Sequence, residues 1–190
     1  MQLIVASASP RRKDLLICSG VNIVAIRPSD ILEERKLGEE PIAYCKRLAH
    51  EKAQVASFEE DHWVLSADTI VVLGDDVFEK PCDREHAYTM LRSLSGKWHS
   101  VVSAWSLRYM SSSGERWIED HSISKVKFRE LLDVEIYAYI DSGEAFDKAG
   151  GYGIQSKGAC LVEQIEGCYS TIVGLPLTQV LPVIREMVDT

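Results

Sequence analysis

The stretch LSADTIVVL, Leu65 to Leu73, decides how the rest of the chain is read. Seven of its nine residues are apolar or small, and β-branched Ile70, Val71 and Val72 stand together near its end. That is the pattern of a strand buried on both faces. Asp68 and Thr69 break the run. A carboxylate inside a buried strand costs several kcal/mol unless it is hydrogen-bonded, paired or bound to a metal. Asp68 is therefore read either as a metal ligand or general base at a cleft edge, or as an acid at the strand's end that caps a neighbouring turn.

Outward from this strand, Gly74-Asp75-Asp76 is a hairpin signal. It returns the chain through Val77 and Phe78 to Glu79-Lys80-Pro81, which carries Lys80 back toward Asp68. Upstream, Leu3 to Ala6 reads as a short apolar strand, followed directly by Ser7-Ala8-Ser9-Pro10-Arg11-Arg12. Ser9 before Pro10 suits a helix N-cap with proline at the first helical position, and the helix continues to Cys18. A strand, a small-residue turn and a helix N-terminus form an anion site. Backbone N–H groups and the helix dipole favour phosphate, the two serines add hydroxyls, and the two arginines add forked donors. The alternative is a capped surface helix with solvated arginines.

The remaining elements follow from periodicity and turn chemistry. Val21 to Ile26 is a strand that ends at Pro28, and the acidic stretch from Asp30 to Glu34 reads as a solvated face. Pro41 to Ala56 has helical spacing, with Ile42, Cys45, Leu48, Ala49, Ala53 and Ala56 on its apolar face. Lys46, Arg47, Glu51 and Lys52 lie mainly away from that face. Asp83 caps a helix that runs to Leu94 and stops at Gly96. His99 to Tyr109 and Trp117 to Phe128 are strands joined by a polar, Ser-rich turn around Ser111 to Gly114, with His99 read as a strand-end surface histidine. Asp133 to Ser142 is a short helix. In Asp147 to Gln155, three glycines in four residues permit positive φ and close backbone approach to a ligand. A strand from Leu161 to Ile165, a turn from Gly167 to Ser170 and a helix from Leu177 to Val188 complete the chain, with no internal repeat or linker.

Composition narrows the function classes. The 190 residues suit one domain, or two lobes sharing a sheet, and 46% hydrophobic with 26% charged residues is ordinary for a globular protein. A net charge of −8 argues against a general nucleic-acid binder, so any polyanion must be met by a few converging cations and a divalent ion. No apolar run approaches the roughly 20 residues of a membrane span, and the N-terminal charges follow the apolar residues, opposite to a secretory signal. The expectation is a cytoplasmic protein. Five cysteines without C-x-x-C spacing suggest neither a disulfide framework nor a zinc site. No G-x-x-x-x-G-K-[ST] motif is present, against a P-loop NTPase.

Several motifs jointly carry a resemblance. SASPRR after the first strand, Glu33, Lys52, SADT at Ser66 to Thr69, EKP at Glu79 to Pro81, LSG with His99, DKAGGYGIQ at Asp147 to Gln155 and YSTIVGLPL at Tyr169 to Leu177 resemble the Maf family. These are the septum-formation-inhibitor-like nucleoside triphosphate pyrophosphatases. The likeness runs from the first strand to the last helix, as a single domain over residues 1–190.

The resemblance implies an α/β fold with a long, bent mixed sheet flanked by helices, of the Maf and inosine-triphosphatase type, with two lobes around a central cleft and commonly a homodimer. It implies hydrolysis between the α and β phosphates of a nucleoside triphosphate with Mg²⁺ or Mn²⁺. By the same likeness Asp68 is the proton acceptor. Ser7, Ser9, Arg12, Lys52 and Lys80 fall on phosphate-cleft positions, Arg11, Thr69 and Gln155 on base-selection positions, and Glu33 with Asp68 on metal positions. Leu32 stands where an acid often precedes Glu33, which leaves Glu33 and Glu34 both open as the metal ligand. The glycine loop resembles the branch that takes dTTP and UTP. Gln155 suits it, since a side-chain amide offers the donor and acceptor that a uracil edge requires. Modified pyrimidine nucleotides, and a non-catalytic nucleotide-binding regulator of septation, are the competing readings.

Overall fold

The computed structural model describes residues 2–56, 61–111 and 114–188. The expected Ser-rich turn at Ser111 to Gly114 falls partly on residues 112–113, outside the described residues. A mixed seven-stranded sheet is ordered β2-β1-β3-β5-β6-β7, with β4 paired to β3 off that path. The strands are β1 (Leu3–Val5), β2 (Ile23–Ile26), β3 (Trp63–Leu73), β4 (Asp76–Phe78), β5 (Trp98–Ser111), β6 (Gly114–Phe128) and β7 (Val162–Glu166). β1 runs parallel to β2 and β3, whereas β3 with β4 and β6 with β7 are antiparallel. The helices are α1 (Pro10–Cys18), α2 (Pro41–Val55), α3 (Arg84–Leu94), α4 (Asp133–Asp141), α5 (Tyr169–Val173) and α6 (Leu177–Val188). None among the described residues is long and apolar enough to cross a membrane.

The opening strand is longer than its sequence signal. It starts at Trp63, and every residue from Trp63 to Asp68 is buried. The hairpin turn lies where expected, with Val71 opposite Phe78 and Leu73 opposite Asp76. The expected turn at Gly167 to Ser170 is instead the lead into α5, whose Ser170 to Val173 are buried. Burial holds that short helix, because five residues cannot sustain one by propensity alone.

Residue contacts divide the chain into two compact units, and β3, β5 and β6 each contribute residues to both. In the first unit (1–68, 103–122 and 174–190), Leu3, Val5, Leu16, Leu65, Trp105 and Val180 form one core cluster. Ile4, Ala6, Ala53 and Val64 form another, in which α2 packs on the sheet.

The second unit (69–102 and 123–173) has its own core, with Val71, Leu91, Leu94, Val101, Phe128, Ile136 and Tyr152 among its members. His99 belongs to this interior. Its ring is 3% exposed and meets Phe128 and Tyr152 edge-on, and Nε2 shares a 2.7 Å hydrogen bond with the Tyr152 hydroxyl. The surface reading of His99 is thus corrected: Phe128 and the glycine-loop residue Tyr152, both distant in sequence, cover it.

Burial pushes the His99 imidazole down from its ordinary 6.5 to about 4. Between those values the unfolded chain binds a proton that the folded one refuses, so stability falls as pH drops from 6.5 toward 4. The full loss is roughly 3 kcal/mol. Urea midpoints measured from pH 7 to pH 4.5 should fall in the wild type and change less in His99→Gln; parallel slopes would contradict a neutral, buried His99.

Candidate active site

The first unit holds seven of the residues singled out by sequence, set around the end of β1 and the middle of β3. Asp68 is 6% exposed, and its Oδ1 lies 2.5 Å from the Lys52 ammonium. The same ammonium stands 2.7 Å from Glu33 Oε1. Two acids therefore converge on one cation, which answers the demand that a carboxylate inside a strand be compensated. Glu33, and not Glu34, makes this contact; the Glu34 backbone carbonyl accepts from the Arg47 guanidinium at 2.9 Å.

Lys52 corrects the helical reading of α2. It lies on the buried face with Tyr44, Cys45, Leu48, Ala49 and Ala53, at 7% exposure. A long aliphatic stem can pack along an apolar face while its tip reaches a polar partner. Here that partner is Asp68. The helix is also tied to β3 directly: Cys45 Sγ donates to the Asp68 carbonyl at 3.4 Å, and Ser66 Oγ donates to the Ala49 carbonyl.

The turn after β1 supplies the cationic side. Arg12 Nη1 donates to Ser7 Oγ at 3.0 Å, and Arg12 Nε donates to the Gly174 carbonyl at 2.9 Å. Ser7 Oγ also accepts from the Ser9 backbone N–H at 3.3 Å. Pro10 opens α1 as expected, but the Ser9 hydroxyl makes no cap hydrogen bond. The expected capping role of Ser9 is corrected, since Ser7 bonds its backbone instead. Arg11 is half-buried beside Arg12 on the same turn of α1.

Electrostatics follow from this packing. Burial pushes the Asp68 carboxyl up from its ordinary range, while Lys52 and Arg12 pull it back. Burial likewise lowers the Arg12 guanidinium, with Asp68 the strongest opposing influence. An acid raised by desolvation, with cations placed against it, is suited to accept a proton.

In the second unit, Thr69 is half-buried and follows Asp68 along β3, so its Cβ points to the opposite face of the sheet. Lys80 is exposed just beyond β4, and Gln155 is exposed at the start of a 3-10 turn, Ser156–Leu161. The glycine loop is closely packed. Gly150 has φ 68° and donates its N–H to the Glu79 carbonyl at 3.0 Å, and a Cβ there would come within 3.0 Å of the Val71 side chain. Gly153 N–H donates to the Tyr139 hydroxyl at 3.2 Å. Glycine at 150 thus permits close approach to Val71 in the chain's own core.

Sequence reasoning missed two supports. Gly174, with φ 124°, presents the carbonyl that holds Arg12, which explains a glycine in YSTIVGLPL. Ser29 Oγ donates to the Lys52 carbonyl at 2.6 Å, and no local pattern announces that contact.

Comparison with known proteins adds a separate line of support. The Maf-like protein family model matches residues 2–187. A dTTP/UTP pyrophosphatase of Aquifex aeolicus is 43% identical over 188 residues, 98% of this chain and 96% of its own length. The Shigella boydii protein of that name is 46% identical over 179 residues, 93% of this chain and 88% of its own. That of Escherichia coli (strain UTI89) is 45% identical over the same number of residues, with the same coverage. Among solved structures, a HAM1 protein from Coxiella burnetii aligns with 98% of this chain and 99% of its own at a TM-score of 0.48 and 15% identity, a likeness too slight to carry the reading of the site.

Proposed function

We propose that this chain, which belongs to the Maf family by its match over residues 2–187, hydrolyses dTTP and UTP to the monophosphate and pyrophosphate. The observation that carries the reading is the buried Asp68 carboxylate paired to Lys52 and flanked by Arg12, in a chain whose relatives are dTTP/UTP pyrophosphatases. A site meant only to bind a polyanion gains little from a buried carboxylate. An enzyme needs one to take a proton from water.

In this reading Asp68 orients and deprotonates the attacking water. Arg12, Lys52 and Lys80 neutralise the triphosphate and the departing pyrophosphate, and Ser7 and Ser9 line the phosphate cleft. No covalent intermediate on the protein is needed. Arg11, Thr69 and Gln155 select the base.

A divalent cation, Mg²⁺ or Mn²⁺, belongs to the proposal, and the residues present fit one. Among the described residues no cluster of three or more His, Cys, Asp or Glu could hold a metal by itself. Glu33 and Asp68 nevertheless converge on one point, and Mg²⁺ is commonly bound through one or two carboxylates together with substrate phosphates and water. Such an ion, when bound, supplies charge stabilisation on the phosphoryl oxygens. The reading further includes a small-molecule substrate and a homodimer, which the family resemblance implies, and a cytoplasmic location with no nucleic-acid or membrane partner, which net charge and hydropathy suggest.

The test is pyrophosphate release from canonical and modified nucleoside triphosphates with Mg²⁺ and with Mn²⁺. Fast release from dTTP and UTP is expected. Binding without release from any nucleotide would favour the septation regulator instead. On the same panel Gln155→Glu should depress dTTP and UTP relative to purine nucleotides by roughly tenfold or more, because a lost donor leaves the base edge unpaired. An unchanged ranking would remove Gln155 from base selection.

A further inference from the structure

The end of α2 is held by side chains from outside the helix. The last four carbonyls of any helix lack intrahelical donors. Here three of them are met by two residues: Ser29 Oγ donates to the Lys52 carbonyl at 2.6 Å, and Arg108 Nη1 donates to the carbonyls of Ala53 at 3.2 Å and Gln54 at 2.7 Å.

Arg108 is itself immobilised. It is 9% exposed on β5, its Nε donates to Glu115 Oε1, and its guanidinium lies 5.2 Å from the centre of the Trp117 ring. Trp117 stacks in turn on His50 of α2, with ring centres 4.2 Å apart. The positive charge also sits where the helix dipole is negative. This clamp closes on the residues immediately after Lys52, whose ammonium reaches Asp68 and Glu33.

We infer that Arg108 is the positioning residue of the site, holding the last turn of α2 so that the Lys52 ammonium stays against Asp68 and Glu33. It acts through the helix end, by its bonds to the Ala53 and Gln54 carbonyls. Ser29 is the lesser partner, with a single neutral hydrogen bond to the carbonyl of Lys52 itself. The inference rests on the proposed hydrolysis and adds a residue outside the matched motifs.

A double-mutant cycle tests it, with kcat and KM for dTTP measured in the wild type, Arg108→Gln, Lys52→Ala and the double variant. Arg108→Gln should lower kcat about tenfold with KM changed less than twofold, Arg108→Lys should recover part of the loss, and Ser29→Ala should lose less. In the Lys52→Ala background, Arg108→Gln should reduce kcat no further. A further tenfold loss in that background would overturn the inference, since Arg108 would then act independently of Lys52. A thermal melt that falls in Arg108→Gln while kcat per folded molecule holds would also overturn it, leaving only a structural role. Absence of turnover in the wild type would refute the hydrolysis alone. A crystal structure of Arg108→Gln, or of Ser29→Ala if the first does not fold, then decides: the inference stands if Lys52 has left Asp68 and falls if the ion pair is intact.

Discussion

Asp68→Asn should leave a folded protein that still binds dTTP yet releases pyrophosphate roughly 100- to 10,000-fold more slowly, the usual contribution of a positioned general base. The exchange preserves shape and an oxygen that can still accept from Lys52, which lies 2.5 Å from Oδ1 in the wild type. Glu33, at 2.7 Å, continues to balance the ammonium. What the amide loses is the capacity to take a proton. The measurement is single-turnover pyrophosphate release beside a nucleotide-binding titration on the same preparation. Near-normal release from a folded Asp68→Asn protein would take the base role away from Asp68, and lost binding would move its contribution to substrate or metal affinity.

Lys52→Met should be the most destabilising single change at the site. Both partners are nearly enclosed, with 9% of the Lys52 side chain and 8% of the Asp68 side chain exposed. Removing the ammonium strands a buried carboxylate, and breaking such a pair from one side costs about 3 to 5 kcal/mol. The pH dependence carries the sign. Without Lys52 the folded Asp68 carboxyl, already raised by burial, rises further above its unfolded value. The folded state then holds a proton that the unfolded state has released, so stability is retained at low pH and lost as pH rises through the folded value. Urea unfolding should show a smaller deficit relative to wild type at pH 5 than at pH 8. An equal deficit at both would mean that the lost stability comes from packing of the aliphatic stem, and no deficit would mean that the pair is dispensable.

The two variants separate chemistry from structure at one ion pair. Asp68→Asn keeps the ammonium compensated and removes the proton acceptor. Lys52→Met keeps the Asp68 carboxyl but removes its compensation and favours its protonated form, so its turnover falls together with its stability.

Much of this architecture was legible in the amino-acid order because its causes are local. A near-continuous apolar run with clustered β-branched residues marked β3, and the Gly74-Asp75-Asp76 turn marked its hairpin. Pro10 and Pro41 opened α1 and α2, and Asp83 capped α3 by accepting from the His86 N–H at 2.7 Å. Each of these signals acts through the backbone within a few residues. The incongruity of an acid inside a buried strand was likewise visible as sequence, because desolvation follows from burial alone.

Tertiary structure decided what compensates that acid. Lys52 looked solvent-facing on its helix and proved buried, since only packing of α2 on the sheet determines which side of a helix is covered. Bringing the Glu33 carboxylate to Lys52 required the irregular segment before α2, whose path no local periodicity sets. His99 entered the core because Tyr152, 53 residues away, closes over it. Arg108 reached the end of α2 across 54 residues of sequence to Gln54. Local propensity identifies elements, but charge pairing and helix capping at such separations depend on which surfaces meet when the core closes, and only the folded chain decides that.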